Sequence, residues 1–290
     1  MKKVPMKKTT LMVRGLRINV QEWGDSRKPT LMCLHGWMDC GATYQYMANY
    51  LADSFHLVAP DLRGFGESEH APSYWFPDYF ADLAVVLNSY SENAPVNLVG
   101  HSMGGNIAAM YAGIEPHRVG KLLILEALGM PATQPDQAPQ KYRRWMNEIL
   151  SDEPTKIYPS LAILKSSIRK GNPSLSEDMI DDLSELWAKP FGDQGAMVLK
   201  HDHKHRYANP VRYNFDDVLE VWKLVTAKVG LVMAEESSHH KHYLKSGRTA
   251  QAKEVLGIAE ANYWQVADAG HMLHIEQPEK TAACVAAFFE

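Results

Sequence analysis

Short apolar runs alternate along the chain with segments whose apolar residues recur every three or four positions. The runs predict buried strands, and the helical spacing predicts helices that cover them. This alternation indicates an α/β fold with a mostly parallel sheet covered by helices on both faces. The strand segments are Thr30–Leu34, His56–Pro60, 96–99, Lys121–Glu126, Val229–Ala234 and Asn262–Val266. The helical segments are Thr43–Leu51, Pro77–Tyr90, Asn106–Ile114, Phe215–Leu224, Thr249–Ile258 and Pro278–Phe289.

The N-terminal part of the chain has a different pattern. Apolar and polar residues alternate over Leu11–Gly24, with Gly15 in the middle. Alternation with a central glycine is typical of a hairpin that buries one face. We therefore expect the fold to open with two antiparallel edge strands.

The segment from 130 to 210 interrupts the strand and helix alternation. Proline-punctuated polar stretches surround helical segments such as Lys141–Leu150 and Glu177–Trp187, and no strong strand signal is present. We expect a helical lid at 130–210, inserted into a core formed by 1–129 and 211–290. Its aromatic residues could line an apolar substrate pocket or pack the lid helices on one another. They are Tyr142, Trp145, Tyr158, Trp187 and Phe191.

A Gly-x-Ser-x-Gly sequence joins one predicted strand to the following helix. Ser102 lies at its centre, flanked by Gly100 and Gly104. So sharp a strand-to-helix turn forces strained backbone angles on the serine, and only glycine lets strand and helix approach closely enough. The turn exposes the hydroxyl at the N-terminus of a helix, where an oxyanion would be stabilised. The pattern predicts a nucleophilic serine at 102.

A serine hydroxyl needs a base to remove its proton, and histidine is the usual one. Of the 13 histidines, His271 lies in a glycine-containing loop between the last predicted strand and the last helix. Chemistry in an α/β sheet gathers where the strands end, so His271 emerges at the correct edge. His274 is the nearest competitor, but it lies closer to the helix and is expected to pack or bond locally.

The base needs a carboxylate that fixes its tautomer, and the sequence offers two sites for it. Glu126 directly ends one strand, whereas Glu235 and Glu236 follow a later one. Either site gives the chain order serine, acid, histidine expected for this architecture. We prefer Glu126 because the end of a strand fixes a side chain better than a loop does.

An oxyanion hole requires backbone N–H groups beside the nucleophile. We expect one from Met103, which follows the serine, and one from Trp37, in the loop after the strand Thr30–Leu34. Trp37 could also form a wall of the pocket.

Composition narrows the remaining possibilities. The 290 residues are 46% apolar and 22% charged, and the 34 acidic and 30 basic residues are interspersed, for a net charge of −4. This balance favours neither nucleic acid nor an anionic membrane surface as a partner. No apolar run approaches a membrane span or follows the N-terminal lysines as in a signal peptide, so we expect a cytoplasmic protein. The oligomeric state is not predicted.

The positions of the cysteines and histidines indicate whether the chain could bind a metal ion. The three cysteines, Cys33, Cys40 and Cys284, are distant and lack metal-ligand spacing, so we expect reduced thiols. Alternate histidines in the run 201–206 could face one way and hold a metal, but a local structural role is preferred. We expect no metal and no cofactor, and we expect His239, His240 and His242 to lie in a solvated loop.

Four motifs together resemble the α/β-hydrolase superfamily over essentially the whole chain. They are His35-Gly36-Trp37, Asp61-Leu62-Arg63-Gly64-Phe65-Gly66-Glu67-Ser68, Gly100-His101-Ser102-Met103-Gly104-Gly105 and Gly270-His271, in that order. The resemblance implies an eight-stranded sheet and a Ser-His-acid triad. Within the superfamily, the residues 35–39, the insertion after Glu126 and the segment 197–202 look most like the serine hydrolase-like proteins.

One position departs from the pattern of the superfamily. Many members carry the catalytic Asp shortly after the strand that corresponds to Leu231–Ala234, where this chain has Ser237. The departure favours Glu126 as the acid. The chain also resembles haloalkane dehalogenases in the placement of its lid, but they and the epoxide hydrolases use an Asp nucleophile, so Ser102 argues against both chemistries.

These residues predict a cofactor-independent serine hydrolase that acts on small or medium carboxylic esters. Hydrolysis of a thioester, a lactone or a carbon–carbon bond could use the same triad. A ligand-binding or signalling protein that keeps the pocket without turnover is the alternative outside enzymology.

Overall fold

A computed structural model describes residues 3–151 and 155–290 of the chain. Its centre is an eight-stranded sheet with the order β1-β2-β4-β3-β5-β6-β10-β11. The strands are β1 (Lys7–Val13), β2 (Leu16–Trp23), β3 (Thr30–Leu34), β4 (His56–Pro60), β5 (Val96–His101), β6 (Val119–Leu125), β10 (Lys228–Ala234) and β11 (Tyr263–Val266). From β4 to β11 each neighbouring pair is parallel. The predicted α/β class and mostly parallel sheet are confirmed.

Helices cover both faces of this sheet. In chain order they are α1 (Gln45–Leu51), α2 (Phe76–Tyr90), α3 (Met103–Ile114), α7 (Phe215–Trp222), α8 (Ser238–Lys245), α9 (Arg248–Val255), α10 (Leu273–Glu276) and α11 (Pro278–Phe289). Alternate residues of β3 enter opposite cores: Met32 packs in the cluster of α2 and α3, and Leu31 in that of α1 and α11. Burial on both faces explains why the central strands read as continuous apolar runs.

The predicted N-terminal hairpin is present, but only one of its strands is an edge strand. β1 and β2 pair antiparallel, and the other side of β2 pairs antiparallel with β4. Three polar residues of β2, Asn19, Gln21 and Glu22, are buried rather than solvated. Asn19 Nδ2 donates to Asp61 Oδ2 at 2.8 Å, and Glu22 Oε2 lies 3.0 Å from His56 Nε2. The alternation of apolar and polar residues in β2 therefore does not correspond to an edge strand with one face in solvent.

The segment from 130 to 210 contains strands as well as helices, contrary to prediction. Its helices are α4 (Ala138–Ser151), α5 (Leu161–Gly171) and α6 (Glu177–Trp187), and its antiparallel sheet consists of β7 (Ile157–Tyr158), β9 (Ala196–Leu199) and β8 (Ala188–Phe191). Strands of two to four residues are too short to produce a periodic signal. Positions 152–154 of the predicted lid lie outside the described residues.

This inserted segment has an apolar core of its own. Leu164, Ile180 and Leu183 are fully buried in it, and Ile275 from α10 packs against them. The insertion is thereby joined to the loop that carries His271. No helix in the described ranges combines the length and hydropathy needed to cross a bilayer.

Candidate active site

Ser102 occupies a strained turn between β5 and α3. Its φ of 50° lies in the left-handed region that residues with a Cβ rarely adopt. A Cβ on Gly100 would lie 2.5 Å from the carbonyl oxygen of Gly104, and one on Gly104 would collide with the backbone of Leu34. The two glycines therefore allow the contact between strand and helix that forces the serine outward.

Three side chains from distant parts of the chain form a hydrogen-bonded series. His271 Nε2 lies 3.0 Å from Ser102 Oγ, and His271 Nδ1 lies 3.3 Å from Glu126 Oε2. The histidine side chain is 29% exposed, whereas that of Glu126 is fully buried. With Nδ1–H donating to the carboxylate, the lone pair of Nε2 is free to accept the serine proton.

The end of β10 and the turn after it hold the carboxylate of Glu126 in place. Its Oε1 accepts the backbone N–H of Ala234 at 2.6 Å, and its Oε2 accepts a short hydrogen bond from the hydroxyl of Ser237. Glu126 itself has a φ of 55°, a second strained position at this edge of the sheet. Three donors hold this buried carboxylate in place, so that it orients the imidazole. In the sequence, Ser237 stands where an Asp was expected, and in the structure its hydroxyl bonds to the carboxylate of Glu126.

The competing acids lie elsewhere. Glu235 and Glu236 follow β10 as exposed residues, and their backbone N–H groups bond to the carbonyls of Val266 and Ala269. Among the described residues, the carboxylate paired with His271 is that of Glu126.

The competing histidine, His274, belongs to a buried pair behind the site. Its Nε2 lies 3.4 Å from Asp39 Oδ2, and both side chains are at most 2% exposed. Burial would raise the pKa of Asp39, but the hydrogen bond and charge of His274 lower it below its ordinary value. Asp39 also accepts Trp187 Nε1–H at 2.9 Å, so the pair ties the inserted segment to the core.

His101 supports the loop of the candidate base, a role that local sequence did not reveal. Its Nε2–H donates to the carbonyl oxygen of His271 at 2.7 Å. Burial, followed by the charge of His274, lowers the pKa of His101 well below its usual value, so the ring is neutral and has one N–H to donate. That N–H is used to hold the backbone of His271.

The loop after β3 passes directly beside the serine. A Cβ on Gly36 would lie 3.3 Å from Ser102 Cβ, which places Trp37 next to Ser102. His35 Nε2 accepts the N–H of Leu62 at 2.9 Å, so His35 Nδ1–H donates to the Gly36 carbonyl at 2.7 Å and holds the loop. Met103 is the first residue of α3, where backbone N–H groups lack partners within the helix.

A cavity of about 490 Å³ opens beside Ser102. Its wall is mostly aromatic and aliphatic. Loops and helices of the core, α4 and the segment 204–209 contribute the side chains. The apolar part includes Trp37, Tyr74, Trp75, Phe76, Tyr79, Met130, Trp145 and Ile149. Of the five lid aromatics named above, Trp145 lines this cavity. Tyr158 is buried in the insertion, Trp187 bonds to Asp39, and Tyr142 and Phe191 are exposed.

The histidines after β10 form the start of α8 rather than a solvated loop. Ser237 caps this helix, and its oxygen accepts the N–H of His239. The ring of His239 stacks on that of His271 with centroids 4.1 Å apart and lines the cavity. Burial, then the charge of His271, lowers the pKa of His239. Capping by Ser237 was the signal that could have predicted this helix.

Two histidines of the run 201–206, His203 and His205, have structural partners. His205 packs between Phe65 and Tyr74, with ring centroids 3.8 and 3.7 Å away, and burial lowers its pKa to about 3. Where the structure describes the chain, two other groups have ligand atoms close enough for a metal: Asp39 with His101 and His274, and Glu126 with His239 and His271. Both groups contain the pairs described above.

Comparisons with known proteins agree with this architecture. The model of the alpha/beta hydrolase fold family matches residues 29–193. A serine hydrolase-like protein of Danio rerio is 27% identical over 279 residues, 93% of this chain and 84% of that protein. Serine hydrolase-like protein 2 of Homo sapiens is 24% identical over 294 residues, 94% of this chain and 90% of that protein.

A solved structure is similar over a comparable length. The thioesterase domain from the curacin biosynthetic pathway is 26% identical with a TM-score of 0.84, and the match covers 97% of this chain and 99% of that domain. The family model spans more than half of the chain, and the strand order and the turn at Ser102 agree with it. The chain therefore belongs to the α/β-hydrolase family.

Proposed function

We propose that this protein is a serine hydrolase that cleaves small to medium carboxylic esters through an acyl-enzyme. The observation that carries the proposal is the series Ser102, His271 and Glu126, joined by distances of 3.0 and 3.3 Å at the wall of the cavity. A hydroxyl, an imidazole and a buried carboxylate in this order are the parts needed to activate a serine.

In the proposed reaction, Ser102 Oγ attacks the ester carbonyl while its proton moves to His271 Nε2. Glu126 stabilises the imidazolium that forms. The N–H groups proposed for the oxyanion hole, those of Met103 and Trp37, would bond the negative oxygen of the tetrahedral intermediate. His271 then gives its proton to the leaving alkoxide, which departs as an alcohol. Water, activated by the same histidine, releases the acid and restores Ser102.

The cavity supports an apolar substrate of limited size. About 490 Å³ lies within the range of sites for small molecules. Residues 130–210 act in this proposal as a lid, because Trp145 and Ile149 of α4 close the wall opposite the core. Excluding water there strengthens the electrostatic stabilisation of the oxyanion.

A thioester is the second candidate substrate, favoured by one comparison. The domain with a TM-score of 0.84 is a thioesterase at 26% identity. The same serine could attack a thioester, with a thiol as the leaving group. Lactone and carbon–carbon bond hydrolysis would need only a different fit in the cavity.

The proposal is tested by turnover of a panel of p-nitrophenyl esters from acetate to decanoate, with matched thioesters, a lactone and a β-diketone. We expect a maximum of kcat/KM at short or medium chain length, abolished by Ser102→Ala and retained by Ser89→Ala. Ser89 is exposed on α2 and far from the cavity, so its variant controls for a general effect of serine removal. A folded protein that binds these esters without cleaving them would favour the ligand-binding alternative.

A further inference from the structure

The cavity wall contains a single lysine or arginine among the described residues, Lys204. The acidic group of the wall, Glu126, is already bonded to His271, Ser237 and the backbone of Ala234. The charge of Lys204 therefore has no counterpart within the site.

Lys204 is half-buried, yet its ammonium group lacks a protein partner in the described ranges. The lysine nearest in sequence does have partners, because Lys200 Nζ lies 3.4 Å from Glu67 Oε1 and donates to the carbonyl of Glu185 at 3.1 Å. A cation held against an aromatic wall gains from an anionic partner, because the surrounding side chains reduce the screening by water.

The backbone of Lys204 is held in position from several directions. It lies in the short 3-10 turn His203–Arg206, and its N–H donates to Asp202 Oδ1 at 3.1 Å. Asp202 is fixed in turn, since its N–H donates to the Gly64 carbonyl at 2.8 Å and its Oδ2 accepts the hydroxyl of Tyr74 at 2.7 Å. The turn thus presents the lysine to the cavity from a part of the insertion that is anchored to the core through Gly64 and Tyr74.

We propose that Lys204 binds a second, anionic group of the substrate, a carboxylate remote from the bond that is cleaved. The inference rests on the proposed function, since it assigns the substrate class of the same site. The substrate is then an ester or thioester whose apolar body fills the aromatic wall and whose remote end is ionised. Monoesters of dicarboxylic acids have this chemistry.

Matched substrate pairs test the assignment by activity. One arm uses p-nitrophenyl esters with a carboxylate or a methyl ester at the far end of the acyl chain. The other uses butyrate esters of ω-hydroxy acids and of their methyl esters, so that the carboxylate lies on the alcohol side. We expect Lys204→Met to lower kcat/KM for the carboxylate of at least one pair by about 10- to 100-fold, and to change kcat/KM for its neutral partner far less.

Binding to an inactive variant separates this inference from the proposed function. The Ser102→Ala variant is titrated with monomethyl suberate and, separately, with dimethyl suberate. Binding is followed by the fluorescence of the tryptophans that line the cavity. We expect the monoanion to bind more tightly, an advantage that falls with added salt and disappears when Lys204→Met is added. This result would support the anion site even if no ester were hydrolysed.

Arg206→Met is the matched control, because Arg206 is exposed on the same turn and lies outside the cavity wall. It removes the same charge, so loss of the preference in this variant alone would overturn the assignment to Lys204. Equal kcat/KM and equal binding for charged and neutral partners in the wild type would also overturn it. Lys204→Glu should reverse the preference, towards substrates with a remote ammonium group.

Discussion

The structure contains two pairs of histidine and carboxylate whose histidines lie three residues apart in the chain, and the pairs differ in almost everything except chemistry. His271 with Glu126 faces the cavity, and its second nitrogen reaches Ser102. His274 with Asp39 is buried, and no hydroxyl is bonded to its other nitrogen among the described residues. Their N–O distances, 3.3 and 3.4 Å, are nearly equal.

The comparison teaches that pairing alone does not make a base. What distinguishes the pair of His271 is access to the cavity and a serine hydroxyl 3.0 Å from its second nitrogen. The pair of His274 instead joins α10, the loop after β3 and, through Trp187, the inserted segment. We infer that His271 and Glu126 take part in the reaction, whereas His274 and Asp39 stabilise the fold. The variants below test this division of roles.

The largest effect is expected from Glu126→Gln. An amide cannot stabilise the imidazolium, and it favours the wrong tautomer of His271, so kcat for a good ester should fall by about 10⁴-fold. Circular dichroism checks that the variant is folded. Glu235→Gln and Glu236→Gln are the matched controls, and a comparable loss in either of them would move the acid to that residue.

Asp39→Asn should instead affect stability. Loss of a charged partner in a buried site costs about 2–3 kcal/mol in the free energy of unfolding, measured by urea denaturation at pH 7. Because the folded pKa of Asp39 is lowered, its contribution is present above the ordinary pKa of about 4 and is lost as the pH falls below it. The difference between wild type and variant should therefore shrink in acid.

The same variant should keep its turnover at temperatures where it is folded. A loss of kcat as large as that of Glu126→Gln would contradict the division between the two pairs.

A smaller effect is expected from Ser237→Ala, which removes one donor from the carboxylate of Glu126. Ala234 N–H remains, so kcat should fall by about tenfold. Ser237→Thr keeps both the hydroxyl and the cap of α8 and should restore kcat. Equal rates for the alanine variant and the wild type would mean that Ser237 only caps the helix.

The smallest effect concerns the ring stacked on His271. Burial, then the charge of His271, lowers the pKa of His239, so this ring is neutral at pH 7. His239→Gln replaces one neutral side chain by another and removes only the ring contact, so kcat/KM at pH 7 should fall by about threefold or less. His242→Gln, exposed on the same helix, should leave kcat/KM unchanged, and a loss of equal size there would argue against a local effect.

The sequence predicted the fold well because the central strands are buried on both faces and end in recognisable turns. Ser102, His271 and Glu126 could be selected because each lies where a strand ends, and ends of parallel strands converge. The buried pair could not be predicted, since Asp39 and His274 meet only through the packing of α10. The small sheet of the insertion, whose strands are two to four residues long, gave no periodic signal.

The predictions for β2 and for the histidines after β10 were wrong for other reasons. The polar residues of β2 looked solvated because their buried partners, such as Asp61, are distant in sequence. The run of histidines after β10 looked like a loop, although Ser237 begins a helix there. In both segments the local sequence pattern does not contain the contact that determines the structure.

The central claim is that Ser102 is an activated nucleophile, and its labelling by a fluorophosphonate tests this most directly. The rate of labelling is followed by intact mass, and the modified residue is located by peptide mapping. We predict rapid labelling of Ser102 in the wild type, labelling slowed by orders of magnitude in Glu126→Gln, and no loss in Asp39→Asn while it is folded. Absence of label on the folded wild-type protein, or label on another serine, would contradict the account.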